Sequence, residues 1–145
     1  MEEARVDPAL ICFPGEIQQI LVNIINNAIE ATRGPGRVRV RISESVMWNH
    51  REEPGVRITI ADTGSGMSRE TLARMHDAFF TTKDGTGTGL GMWVVSELIN
   101  RHRGALSVRS SVHPRHRGTV MSLFIPAALA EEDFSNVPPA NLKAM

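Results

Sequence analysis

Residues 84–92, Asp84-Gly85-Thr86-Gly87-Thr88-Gly89-Leu90-Gly91-Met92, place a glycine at every second position and lead straight into an apolar helical pattern. Glycine reaches backbone angles closed to other residues and lets another molecule approach the main chain. A glycine loop that feeds a helix start presents unpaired N–H groups and the positive end of the helix dipole, which suits a phosphate. The alternative is a flexible surface loop; the threonines between the glycines and the helix set against them weigh against it. Two nucleotide motifs are excluded. The dinucleotide fingerprint needs glycines at i, i+2 and i+5, but counting from Gly85 or Gly87 ends on Leu90 or Met92. The P-loop needs Gly-Lys-Ser/Thr, and no lysine closes this run.

The strongest helical pattern spans 16–32. Ile17, Leu21, Ile24, Ala28 and Ala31 recur at three- and four-residue spacing as its buried stripe, and Gly34-Pro35-Gly36 ends it. Gln19, Asn23, Asn27 and Glu30 share another side within roughly an 80° arc. Asparagine is a poor helix former, yet this helix carries Asn23, Asn26 and Asn27. Carboxamide oxygens and a carboxylate on one face suit a hard cation such as Mg²⁺, which keeps several waters and takes few protein ligands. A polar face bonded to a neighbouring loop is the competing reading.

Strands are expected at 9–13, stopped by Pro14-Gly15, at 37–43, 56–61, 105–112 and 119–125. In the second, Val38, Val40 and Ile42 alternate with Arg37, Arg39 and Arg41, predicting one buried and one basic face. The third runs into Asp62-Thr63-Gly64-Ser65-Gly66, a carboxylate at a strand end beside bare backbone. A carboxylate only accepts hydrogen bonds, so Asp62 suits a donor such as an exocyclic amine; a turn-forming aspartate is the alternative. A short helix is expected over 68–76 and a second long one over 90–102. Between Gly66 and Gly89 regular structure is sparse, as in a lid, with Phe79 and Phe80 as its expected anchors. Lys83 could reach a phosphate as a mobile point charge, or be an ordinary surface lysine.

The chain has 145 residues and sixteen basic against sixteen acidic side chains, so bulk charge predicts neither nucleic acid nor membrane as partner. Cys12 is the only cysteine, which excludes an internal disulfide; its apolar neighbours mark it as a small core residue. No run reaches membrane-span length, and the start shows no signal-peptide pattern. Residues 1–8 read as a linker remnant, 9–126 as one domain with a lid at about 66–89, and 127–145 as a tail.

Four motifs in order resemble the N, G1, F and G2 boxes of sensor histidine kinases: Asn23-Ile24-Ile25-Asn26-Asn27-Ala28, Asp62-x-Gly64-x-Gly66, Phe79-Phe80-Thr81-Thr82-Lys83 and Gly87-x-Gly89-x-Gly91. They are similar to those of the catalytic ATP-binding domain, in the superfamily that also holds type II topoisomerases, Hsp90 and MutL. The wording is nearest to nitrogen-regulation-type two-component kinases. The resemblance covers roughly residues 10–126.

It implies an α/β sandwich: a mixed sheet of about five strands covered on one face by about three helices, with a mobile ATP lid. It implies ATP and Mg²⁺ as cofactors, with Asn27 as the main metal ligand and Asn23 assisting. Asp62 would take the adenine amino group, with Thr119 beside it through water, and Gly64 and Gly66 would admit the base. Gly87, Gly89 and Gly91 would cradle the phosphates, with Leu90 hinging lid to helix, and Thr82, Lys83, Thr88 and Leu90 would also belong to the nucleotide-binding set. Asn23, Asn27 and Lys83 would be the catalytic set. In ATPase members a glutamate stands where this chain has Asn23. Asn23 cannot take a proton, so water is poorly activated, as suits a kinase that saves ATP for a histidine.

The implied partners are ATP, a phosphoacceptor histidine domain of the same dimeric parent and a response regulator, in a bacterial cytoplasmic setting with the parent membrane-anchored or not. No nucleic acid or membrane contact is expected. None of His50, His76, His102, His113 and His116 sits in the acceptor context on a long helix. An excised catalytic domain, a histidine kinase unable to phosphorylate itself, is therefore expected. An anti-sigma-type serine kinase or a non-catalytic nucleotide module of the same fold is the alternative.

Overall fold

A computed structural model describes residues 12–47, 53–82 and 87–127. Its elements are α1 (Pro14–Ala31), β1 (Val38–Met47), β2 (Glu53–Asp62), α2 (Arg69–Arg74), α3 (Gly91–Arg101), β3 (Ala105–Ser111) and β4 (Gly118–Pro126). The four strands form one sheet in the order β1-β2-β4-β3, with every neighbouring pair antiparallel. This is the expected α/β sandwich. Among the described residues, however, it has four strands rather than five, and no parallel pair makes it mixed. Most of the strand expected at 9–13 lies outside the described residues; Phe13 is already the N-cap of α1.

Pro14-Gly15 starts a helix rather than stopping a strand. Proline at the first helical position needs no N–H and brings a helical φ, and the Phe13 carbonyl accepts from the N–H groups of Glu16 and Ile17. The buried line of α1 is Ile20, Ile24 and Ala28. Ile17 and Leu21 flank it, half-buried, and Ala31 turns its carbonyl to the Ser65 N–H. The buried line therefore includes Ile20, which the sequence reading left out.

Register aligns the core. Val56 faces Ile125, Ile58 faces Leu123 and Ile60 faces Met121 across β2 and β4. These six side chains pack with Ile20, Ile24 and Ala28 of α1 and with Val95 and Ile99 of α3. Both long helices therefore lie on the same face of the sheet.

β1 departs from its pattern. Val38 packs against the core, but Val40 and Ile42 are 47% and 56% exposed. Strict alternation marks an apolar face without saying what covers it. β1 is an edge strand, and the helices' core layer lies over β2 and β4.

α2 is shorter than expected and is capped by the Ser68 hydroxyl, which accepts from the Thr71 N–H. Cys12 is half-buried, and burial pushes its thiol pKa up. No described helix is long and apolar enough to cross a membrane.

Candidate nucleotide-binding site

A cleft of about 770 Å³ lies between α1, the ends of β2 and β4, the loop after β2 and the start of α3. Its base is a rigid corner. β2 ends at Asp62, directly opposite Thr119 of β4. Asp62 Oδ1 accepts from the Gly64 N–H at 2.8 Å and the Thr119 N–H at 3.3 Å. Among the described residues Oδ2 takes no hydrogen bond, so one carboxylate oxygen is tied to the fold and the other is available at the cleft. Thr119 is only 5% exposed, and its hydroxyl lies 2.8 Å from that of Ser110. Ser110 Oγ in turn donates to the Gly118 carbonyl and accepts from the Met67 N–H.

The loop after Asp62 is folded onto neighbouring carbonyls. The Ser65 N–H donates to the Ala31 carbonyl at 3.0 Å, and the Thr63 N–H to the Arg37 carbonyl. A Cβ on Gly64 would come within 2.5 Å of the Ala31 carbonyl oxygen. Gly66 has φ +72°, and a Cβ there would overlap the Ser111 carbonyl. These two glycines are demanded by the chain's own close approach, before any ligand is considered.

The other end is built from α1 and α3. Asn23, Asn26, Asn27 and Glu30 line the cleft from α1, while Gln19 is exposed and takes no part. Gly91 begins α3, and the point where its Cβ would stand is 3.5 Å from Asn23 Oδ1. The asparagine face thus abuts a helix start, whose first amides have no intrahelical acceptor. Thr82, Gly87, Thr88, Gly89 and Gly91 all line the cleft. Leu90 does not line it; as N-cap of α3 it accepts from the Val94 N–H. Lys83, with Asp84, Gly85 and Thr86, lies outside the described residues.

The two lid phenylalanines part company. Phe80 lines the cleft with the Arg74 guanidinium 4.3 Å from its ring centroid. Phe79 points away: it is 76% exposed, with φ +65°, so only Phe80 acts as the expected anchor. The backbone of Phe79 instead backs onto Gly89.

The sequence reading missed the apolar lining from Met67, Met75, Met92 and Met121. Four flexible thioethers give the cleft an adaptable apolar lining, but methionines scattered along a chain give no periodic signal. It also missed Arg33 and Arg117 at the cleft. Their charges offset those of Glu30 and Asp62 there. No group of three or more His, Cys, Asp or Glu side chains among the described residues could hold a metal; the oxygens that α1 brings to the cleft are the carboxamides of Asn23, Asn26 and Asn27 and the Glu30 carboxylate. Two carboxamides on one helical face fit a mostly hydrated Mg²⁺.

The model of the histidine kinase-, DNA gyrase B-, and HSP90-like ATPase family matches residues 14–129. Sporulation kinase E of Bacillus subtilis is 33% identical over 129 residues, which make up 89% of this chain and 16% of that protein. Sensor histidine kinase ZraS of Escherichia coli is 32% identical over 126 residues, 87% of this chain and 25% of that protein. The chain therefore spans a quarter or less of the length of these relatives. Among solved structures, the mycobacterial sensor histidine kinase MprB shares the fold at TM-score 0.69 and 24% identity, over 83% of this chain and 78% of that one. Full-length ShkA, solved in complex with AMPPNP, aligns at TM-score 0.62 and 30% identity, over 84% of this chain and 24% of that one. The chain belongs to the histidine kinase-, DNA gyrase B-, and HSP90-like ATPase family, and its relatives are sensor histidine kinases.

Proposed function

We propose that the cleft binds Mg²⁺–ATP and that the domain presents the γ-phosphate to a histidine on a separate domain of its parent protein. The observation that carries this reading is Asp62. Its Oδ1 is held by two backbone N–H groups and its Oδ2 accepts nothing among the described residues. An acceptor-only oxygen in a cleft partly lined by methionines matches the donor amine of adenine and opposes the carbonyl that guanine carries there.

With the base at Asp62, the sugar and phosphates run along α1 toward Asn27, Asn23 and the start of α3. Asn27 and Asn23 would hold the cation, which when bound neutralises phosphate charge. The first amides of α3, with Thr88 and the glycine backbone, would take the terminal phosphates. Phosphoryl transfer asks for positioning and charge stabilisation more than for acid–base groups. Asn23 accepts no proton, so water gains no general base from this position, and ATP survives until an imidazole nitrogen arrives. Lys83 adds a positive charge in this reading, and a response regulator then draws the phosphoryl group from the histidine.

Calorimetric titration of ATP, with and without Mg²⁺, tests the site in wild type and Asn27→Ala. Wild type should bind more tightly with Mg²⁺, and Asn27→Ala should lose most of that difference. Phosphorylation of the parent's acceptor domain, supplied in trans, tests the transfer. A wild-type chain that binds no adenine nucleotide ends this reading.

A further inference from the structure

β1 is an outer strand, and among the described residues nothing pairs with its second edge. It runs ten residues with no proline, glycine or bulge. The unpaired N–H and C=O groups of such an edge are a template for another strand. The two faces of β1 define what that strand would carry.

Toward the helices β1 turns Val38, Val40 and Ile42. Register sets Val40 beside Ile60 and Ile42 beside Ile58, both core residues. Helix α1 packs over β1 and β2, and α3 packs over β3, so the flank of α1 turned away from α3 lies on the β1 side. That flank carries Val22, Ile25 and Ile29 at three- and four-residue spacing. Val22 and Ile29 are as exposed as Val40 and Ile42, about half in each case. Single apolar side chains on a surface need no explanation, but a group of four on neighbouring elements marks an interaction surface.

On its other face β1 presents Arg39 and Arg41. Both are exposed, and among the described residues neither guanidinium has a hydrogen bond or ion pair. Their neighbours on β2 are Ala61 and Thr59. Arg57, on the same face, is held by the hydroxyls of Ser45 and Ser122. The carboxylate on this face of the β1–β2 pair is Glu53, opposite Met47, about 20 Å along the strand from Arg41. The two edge arginines therefore lack a counter-charge.

We propose that β1 is a docking edge for an extended segment of a partner protein in which acidic and apolar side chains alternate. Such a segment takes main-chain hydrogen bonds from the free edge. Its apolar side chains stand beside Val40 and Ile42, on the side of the α1 flank, and its carboxylates beside Arg39 and Arg41. The two-residue period of a strand lets one segment meet both demands. Glu44 interrupts the aliphatic stripe beyond Ile42, so the matched stretch is 38–42, about 17 Å long. A second copy of β1 is disfavoured, because it would crowd four arginines onto one face.

The probe is an end-blocked peptide of about eight residues that alternates glutamate and valine, added to the full chain and followed by NMR. In the free chain, the β1 amides not bonded to β2 should exchange quickly with solvent. Protection there would mean that the chain's own terminal segments already cover the edge, and would overturn the proposal. The peptide should protect those amides and shift the methyl signals of Val40, Ile42 and Ile29. A lysine–valine peptide should bind about tenfold more weakly, since two cross-strand charge pairs turn from attractive to repulsive. A glutamate–serine peptide should lose a similar factor. In Arg39→Glu/Arg41→Glu the preference should reverse in favour of the lysine–valine peptide. If that variant fails to fold, the wild-type ranking of the three peptides decides. No binding, equal binding of all three, or shifts confined to other elements refutes the docking edge. Sedimentation of the chain alone gives the remaining outcome: a dimer lost in the double variant would assign the edge to a second copy and overturn the proposal.

Discussion

The two ends of the cleft are made differently. At the end that the proposed reading gives to the base, Asp62 and Thr119 are tied by sheet register and Gly64 and Gly66 by carbonyls that leave no room for a Cβ. At the end that the proposed reading gives to the phosphates, a Cβ on Gly91 would meet only the Asn23 carboxamide, at an ordinary contact distance of 3.5 Å. The base corner is a product of folding. The other end is assembled from two helices and a loop; there Gly89, with φ +68° and the Phe79 backbone against it, is as tightly required as Gly66, while Gly91 is not. Glycine thus has two meanings here: a steric necessity at Gly66, and at Gly91 a residue that packing does not require.

Substitutions can break or sharpen this contrast. The largest effect is expected from Gly66→Ala, which sets a side chain against the Ser111 carbonyl at a left-handed φ. It should cost about 3 kcal/mol or more, read as a lower urea midpoint at unchanged slope. A normal midpoint would mean that the base corner is not preformed.

Asp62→Asn comes next. Its Oδ1 can still accept from Gly64 and Thr119, so the fold should hold. An amide replacing Oδ2 would turn a donor toward the adenine amine. ATP affinity should fall about 100-fold, and calorimetry with GTP should show the preference for ATP narrowing. Equal losses for both nucleotides would assign Asp62 to structure alone.

Gly91→Ala should leave stability unchanged or raise it by up to about 1 kcal/mol, since alanine favours helix. Its midpoint, set beside that of Gly66→Ala, is the most direct measure of the difference between the two ends. Smallest is Phe79→Asn. The exposed Phe79 buries little and holds a backbone angle that asparagine tolerates better. A gain of about 0.5 kcal/mol is expected, visible as a small rise in thermal midpoint with nucleotide affinity unchanged.

Much of the site was legible because its signals are local. The asparagines of α1 share a face through helical spacing, and Asp62 ends an alternating strand. The glycines at 87, 89 and 91 precede an apolar helix, so each motif carries its chemistry within a few residues. The structure brings Asn23, Asn27, Asp62, Gly64, Gly66, Thr82, Gly87, Thr88, Gly89, Gly91 and Thr119 to one cleft. The methionine lining was illegible because its members come from separate elements with no shared period.

The sequence by itself determined which faces are apolar, where helices start and stop, and which side chains have the chemistry for a nucleotide. Those follow from backbone periodicity and the donor and acceptor inventory of each residue. Only the tertiary structure decided what covers each face. It left Val40 and Ile42 on an open edge because β1 is outermost. It buried Ile20 with Ile24 and Ala28, turned Phe79 out and Phe80 in, and brought His102 to Phe13 across 89 residues of chain. Such pairings depend on sheet order and helix packing, which no local period encodes.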